Sequence, residues 1–279
     1  MTDRYAVVGH PVSHSKSPLI HRLFAEQTGQ DMVYGTLLAP LDGFAETTRK
    51  FFAEGGKGLN VTVPFKAEAF VLVDTCSPRA AQASAVNTLG VDADGRLWGD
   101  NTDGVGLVRD LKEALGLTLS ERRLLLLGAG GAACGILGPL LEEGPRELVV
   151  ANRTAAKAEA LATRFRCLGS VRGCGLADLF GIGAFDLILN ATSASLSEAL
   201  PVLPLGLVAT DTVCYDLAYG SQPTAFMRWG QAQGAARTED GLGMLIEQAA
   251  VAFERWRGVH PDTTRVREIL RPDSPPAST

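Results

Sequence analysis

No apolar run in this chain approaches the roughly 20 residues that span a bilayer, and the N-terminus opens on Met1-Thr-Asp-Arg-Tyr5 rather than on a long apolar segment. A soluble, cytoplasmic protein is the expectation. Positive charge is short as well: a net charge of -5 argues against a nucleic-acid protein, whose affinity would rest on a Lys/Arg excess. Cysteine is sparse. Cys76, Cys134, Cys167, Cys174 and Cys214 form no Cys-x-x-Cys pair, so neither a zinc site nor a disulfide framework is expected, and they read as small buried residues in a reducing compartment. No internal repeat is present.

What the chain does have is 46% hydrophobic residues over 279 positions, enough for two cores. Early on, strand-like and helix-like segments alternate: Tyr5–Val8, a helix from Pro18, Met32–Leu38, a helix over Leu41–Phe52, Leu59–Val63, then Ala85–Leu89. A polar loop over 94–103 and a helix from Gly104 to Leu115 mark a boundary. From Arg123, strands near 124, 148, 186 and 213 alternate with helices near 133, 155 and 224, the pattern of a doubly wound parallel sheet. Beyond Gly241, Leu242, Leu245, Ile246, Ala249, Ala250, Phe253 and Trp256 form a helical stripe, predicting a long helix that returns to the first domain. The fold class is therefore α/β. An N-terminal α/β domain over 1–103 is completed by 241–270, a Rossmann-type domain occupies 104–240, and a frayed tail, 271–279, lacks core residues.

Leu124-Leu-Leu-Leu127 runs directly into Gly128-Ala-Gly-Gly-Ala-Ala133, and helix-forming residues to Glu142 and a strand at Glu147–Ala151 follow. This is the context in which a dinucleotide pyrophosphate meets a helix N-terminus. Where an acid about 20 residues after the glycines would hold the ribose of NAD, the chain reads Ala151-Asn152-Arg153-Thr154. With no acid to repel it and Arg153 available for a planar, charge-assisted contact, a 2′-phosphate is the better guest, so NADP is the expected cofactor. Lys157 either adds charge there or lies on a solvated helix face, and Thr154 suits a helix N-cap. Asn190-Ala-Thr192-Ser193, after strand Phe185–Leu189, is either a ligand-facing loop or an ordinary turn.

Asn60-Val-Thr62-Val-Pro64-Phe-Lys66 puts a proline at a helix start and a lysine in its first turn, where the helix dipole disfavours a cation. That field eases loss of the lysine's proton and suits it to acid/base work; taken alone, an exposed lysine is the simpler reading. Asp103, ahead of Gly104, reads by itself as an N-cap. Ser17 before Pro18 reads as a cap too, although Ser15, Ser17 and the amides there also offer a carboxylate site. His10, His14 and His21 read as structural or solvated.

Taken in order, Ser13-His-Ser-Lys-Ser-Pro18, Asn60–Lys66, Ala85-Val-Asn87-Thr, Asp100-Asn-Thr-Asp-Gly104, Gly128–Ala132, Asn152–Thr154, Asn190–Ser193 and Asp240-Gly-Leu-Gly-Met-Leu245 with Gln248 resemble the signatures of the shikimate dehydrogenase family, over residues 5 to 260. The resemblance implies reversible, NADP-linked reduction of 3-dehydroshikimate to shikimate in aromatic amino-acid biosynthesis, with the substrate between the two domains. It implies Lys66 and Asp103 as the catalytic pair, Ser15 and Ser17 at the substrate carboxylate, and Asn60, Thr62, Asn87, Asp103 and Gln248 around its hydroxyls, with Tyr215 nearby. It sets Gly128, Ala129, Gly130, Gly131, Ala132, Asn152, Arg153, Thr154, Lys157, Thr192, Ser193, Gly241 and Met244 against the cofactor.

Cys134, the loop Ser193-Ala-Ser-Leu-Ser197 and the order Pro223-Thr224 depart from the family pattern, and the last leaves Tyr215's role open. Two readings compete: a relative acting on quinate as well, with NADP or NAD, and a silent dinucleotide-binding sensor. Arg153 opposes the NAD version, and the presence of both Lys66 and Asp103 opposes the sensor. No metal, nucleic-acid or membrane partner is expected, while monomer and homodimer both stay open.

Overall fold

A computed structural model describes residues 2–192 and 201–271, and the chain divides into two units, Met1–Asp110 with Leu245–Thr279 and Leu111–Met244. These divisions lie a few residues beyond the 103 and 240 read from the sequence. The reason is local: a Cβ on Gly106 would lie 2.5 Å from the backbone nitrogen of Gln248, so the helix after residue 103 packs within the first unit.

The first unit holds β1 (Asp3–Gly9), β2 (Met32–Leu38), β3 (Gly56–Val61), β4 (Thr75–Cys76), β5 (Thr88–Val91) and β6 (Leu97–Asp100), in the order β2-β1-β3-β5-β6-β4. β1 runs parallel to β2 and β3, with Val8 opposite Leu37 and Val61, whereas β5 is antiparallel to β3 and β6. Its helices are α1 (Ser17–Thr28), α2 (Phe44–Ala53), α3 (Lys66–Leu72), α4 (Pro78–Ala83) and α5 (Asp103–Arg109). Val8, Phe44, Leu59, Val61, Phe65 and Leu89 form the heart of its core. Pro18 pre-sets the first turn of α1, and Gly29, at φ 65°, ends it in the left-handed region.

Three local expectations change. The polar stretch read as a loop contains β6: Asp92 Oδ1 accepts from the N–H of Asp94 and of Arg96, both at 2.9 Å, and the chain doubles back onto β5. α2 begins at Phe44 rather than Leu41, because the Gly43 N–H closes a turn on the Pro40 carbonyl at 3.0 Å. α5 begins one residue earlier than expected and passes into a π-helical segment, Asp110–Ala114.

The second unit holds β7 (Arg123–Leu127), β8 (Glu147–Asn152), β9 (Val171–Gly175), β10 (Phe185–Asn190), β11 (Val208–Asp216) and β12 (Arg237–Glu239), with α6 (Gly131–Glu142), α7 (Ala155–Phe165) and α8 (Ala225–Ala232). All five pairings are parallel, and the order β9-β8-β7-β10-β11-β12 is doubly wound, reversing direction beside β7. Leu124–Leu127 are buried on both faces of this sheet, which explains their unbroken apolar run.

The chain returns to the first unit within α9 (Leu242–Arg257), and α10 (Thr264–Leu270) follows. Trp256 fixes the end of α9, donating its indole N–H to the Leu89 carbonyl at 3.0 Å and lying 4.9 Å from the Tyr5 ring. Phe253 meets Phe24 edge-on at 5.6 Å. Among the described residues no helix is long and apolar enough to cross a membrane. All five cysteines are free, but only Cys174 and Cys214 are buried; Cys76 and Cys167 are exposed, against the expectation. Burial pushes the Cys214 thiol up to about 12. The tail expected to fray lies, beyond Arg271, outside the described residues.

Candidate active site

β3 delivers the chain to Pro64, and α3 begins at Lys66 itself rather than at the proline, so Lys66 stays in the first helical turn. Its ammonium nitrogen lies 2.5 Å from Asp103 Oδ2. Asp103 heads α5, but the cap position belongs to Thr102 and the reading of Asp103 as an N-cap is overturned. Its carboxylate goes instead to Lys66 and to Asn87, whose Nδ2 donates to Oδ1 at 2.7 Å. The side chains are 21% exposed for Lys66 and 7% for Asp103: the carboxylate is sheltered, while the ammonium keeps a face open to a ligand.

Asn87 organises the surroundings. Its Oδ1 accepts the Thr102 N–H at 2.9 Å, and its Nδ2 also lies 3.3 Å from Gln248 Oε1. Gln248, on α9, takes a second contact from Thr102 Oγ1 at 3.3 Å and anchors its own Nε2 on the Leu245 carbonyl at 2.8 Å. An amine, a carboxylate and two oriented amides, from three helices and the loop before β5, thus share one spot, where a proton can pass between the lysine and a ligand oxygen beside the carboxylate.

Ser17, expected to cap α1, is its first helical residue, with Lys16 at the cap position. The hydroxyl that meets the helix start is that of Ser15, which accepts the Ser17 N–H at 3.2 Å. Asn60 is buried at the end of β3; its Oδ1 accepts from the Tyr34 hydroxyl at 2.7 Å and its Nδ2 reaches Thr88 Oγ1 at 3.2 Å. Thr62 is half-buried, and its hydroxyl bonds no described residue. Of the histidines, His10 bonds the Ala39 carbonyl at 2.8 Å, His14 is exposed, and His21 is fully buried.

The second unit offers a different kind of site. Gly128 takes φ 105°, and a Cβ there would sit 3.1 Å from the Ala191 carbonyl, so the turn after β7 can be closed only by glycine. Ideal Cβ positions on Gly130 and Gly131 meet nothing within 4 Å, leaving an open cradle at the start of the 12-residue α6, beside Ala129 and Ala132. The cradle and the N–H groups of the helix start fit a pyrophosphate. β8 ends at Asn152, whose Nδ2 donates to the Thr154 carbonyl at 3.0 Å; Arg153 is exposed and bonds no described residue. Thr154 occupies the N-cap of α7 without a side-chain capping bond, and Lys157 is exposed. With Arg153 pairing with no carboxylate among the described residues, this strand end fits a 2′-phosphate.

Thr192 is fixed by Asn190, whose Oδ1 accepts both its N–H (3.2 Å) and its hydroxyl (2.7 Å); Asn190 Nδ2 in turn donates to the buried Asp216 at 3.1 Å. Ser193 lies outside the described residues. A Cβ on Gly241 would be 2.1 Å from the Leu217 carbonyl, and the Met244 N–H donates to the hydroxyl of fully buried Tyr215 at 3.1 Å. Sequence reasoning gave no role to Tyr34, Thr102 or Asp216; Thr102 alone carried a signal, inside the Asp100–Gly104 motif. Among the described residues no group of three or more His, Cys, Asp or Glu is arranged to hold a metal.

Family models match the chain in three segments: Shikimate dehydrogenase substrate binding domain over residues 7–89, Shikimate / quinate 5-dehydrogenase over 110–198, and Shikimate 5'-dehydrogenase C-terminal domain over 241–271. A relative from Thioalkalivibrio sulfidiphilus, named shikimate dehydrogenase (NADP(+)), is 58% identical over 98% of this chain and 100% of its own. An Ael1 enzyme from Pseudomonas putida superimposes with a TM-score of 0.90 at 49% identity, covering 96% of this chain and 98% of that one. A shikimate 5-dehydrogenase from Thermus thermophilus, in complex with NADP(H) and shikimate, does so with a TM-score of 0.85 at 35% identity, over 97% and 99%. Identity sustained along nearly the whole length, together with the shared fold, means that this chain belongs to the shikimate dehydrogenase family.

Proposed function

We propose that this chain catalyses the reversible, NADP-linked reduction of 3-dehydroshikimate to shikimate, in aromatic amino-acid biosynthesis. The 2.5 Å contact between Lys66 and Asp103, oriented by Asn87, carries the reading. In the reducing direction Lys66 Nζ gives a proton to the substrate oxygen as negative charge develops there; in the oxidising direction it takes that proton back. Asp103 holds the lysine in place, and Asn87 keeps the carboxylate from turning away. Ser15 and Ser17 hold the substrate carboxylate, and Thr62, Asn60, Asn87 and Gln248 its hydroxyls. Tyr215 serves through Met244, whose N–H it accepts.

Gly128 to Ala132 hold the cofactor pyrophosphate, Arg153 its 2′-phosphate with Lys157 adding charge, and Asn152, Thr154, Thr192, Ser193, Gly241 and Met244 the rest. When bound, NADP supplies or accepts the hydride. Five free thiols, two of them exposed, suit a reducing, cytoplasmic setting.

The test compares kcat/KM for shikimate and quinate, each with NADP and NAD. A dominant shikimate and NADP rate is expected. Comparable quinate turnover would place the chain in the broader branch that the 110–198 match names beside shikimate, and binding of NADP with no turnover would restore the sensor reading.

A further inference from the structure

Tyr34 contributes nothing to the chemistry above, yet its hydroxyl stands beside a residue that does, donating to Asn60 Oδ1 at 2.7 Å. Two strands, β2 and β3, therefore meet at one phenolic oxygen. We propose that Tyr34 is a positioning residue for the substrate: by engaging Asn60 Oδ1 it sets which hydrogen-bonding group that amide turns to a polyhydroxylated carboxylate. The inference rests on the reading that Asn60 meets that substrate.

The geometry fixes an otherwise reversible amide. With Oδ1 committed to the tyrosine, Asn60 must point Nδ2 at the Asn87 carbonyl (3.3 Å) and at Thr88 Oγ1 (3.2 Å), which ties it to the strand leading to the Lys66 and Asp103 cluster. The opposite orientation would set the amide oxygen against the Asn87 carbonyl and against Thr88 Oγ1, whose proton goes to Asn87 Oδ1, and lose both contacts. Burial pushes the Tyr34 hydroxyl well above its ordinary range, so it remains a neutral donor throughout the pH range of the enzyme.

His21 supplies the wall that holds the ring. It stacks on Tyr34 at 4.1 Å and 7°, is itself fully buried, and neither of its ring nitrogens has a partner in hydrogen-bonding geometry. Its flat face, not its polarity, is what the site uses. Phe24 and Trp256 lie beside the imidazole, with ring centroids 5.9 Å and 5.5 Å away.

The experiment is steady-state kinetics on the full chain with shikimate and NADP for wild type, Tyr34→Phe, Asn60→Ala and the double variant, with His21→Ala as an independent removal of the wall. Tyr34→Phe is expected to raise KM for shikimate about tenfold while kcat and KM for NADP stay within about twofold, the loss of one buried hydrogen bond falling on substrate alone. The double variant should lose less than the product of the two single effects, and His21→Ala should raise KM for shikimate likewise. Unchanged KM for shikimate in Tyr34→Phe and His21→Ala overturns the proposal, and so does an equal loss in kcat and in both KM values, the mark of general loosening. A wild type that neither binds nor oxidises shikimate removes the functional reading and this inference together, whereas an active wild type with an indifferent Tyr34→Phe removes this inference alone.

Discussion

Asn87 donates to Asp103 Oδ1 at 2.7 Å while the other oxygen of the same carboxylate faces Lys66 at 2.5 Å. Asp103 is thus held from the side opposite the lysine, and taking the lysine away leaves it in place. Lys66→Ala is expected to lower kcat by roughly 10²- to 10⁴-fold, the usual worth of a general acid or base, with a smaller change in KM. Initial rates in both directions measure it, and an unchanged kcat removes Lys66 from the chemistry.

The cofactor preference hangs on one exposed side chain. Arg153 stands just past the end of β8 and pairs with no carboxylate among the described residues. Arg153→Ala is expected to weaken NADP by about 10- to 100-fold, as befits a lost charge-assisted contact, and to leave NAD nearly unaffected. Equilibrium titration of both dinucleotides decides it: equal losses would move the 2′-phosphate contact to another residue.

His21 makes stability depend on pH. Burial lowers its pKa from 6.5 to about 3 in the folded chain, with the Asn60 side chain only partly opposing the shift. Above 6.5 the imidazole is neutral in both states and nothing is lost. Between those two values only the unfolded chain takes up the proton, so stability falls as pH falls, by about 1.4 kcal/mol per pH unit. His21→Phe fills the same slot without a titrating group. Its advantage over wild type should grow by about 2 kcal/mol between pH of about 7 and about 5, read from urea midpoints. A constant difference would mean that His21 is reached by protons in the folded state.

Much of this was legible in the chain. Leu124–Leu127 announced a central parallel strand because such a strand is covered on both faces, and Phe253 and Trp256 announced the helix that closes the first unit. What stayed hidden is short or distant. β6 has four residues and β12 three, too few to show alternation. The contact of Asn87 with Gln248 joins residues 161 positions apart, and Tyr34, inside an ordinary-looking strand, gains its meaning only from Asn60 on another strand. Asp103 read as a cap because its local sequence is that of a cap; its partners were beyond any local pattern.

Arg267 of α10 shows how the chain's last described helix is kept. Its guanidinium reaches Asp110 Oδ1 at 2.6 Å and Glu247 Oε1 at 2.7 Å, two carboxylates only 3% and 5% exposed. Burial works against the guanidinium's charge, but the two carboxylates more than offset it and hold its pKa above the ordinary value. Arg267→Met would leave both carboxylates buried without this partner, at a cost of about 3–5 kcal/mol. All three residues belong to the first unit, so the loss should be felt there. Hydrogen exchange followed by mass spectrometry is expected to quicken in segments from 2–110 and 245–271 and to stay unchanged in 111–192 and 201–244. Equal quickening in both would mean that the two units unfold as one, and that this clamp stabilises the whole chain rather than its first unit.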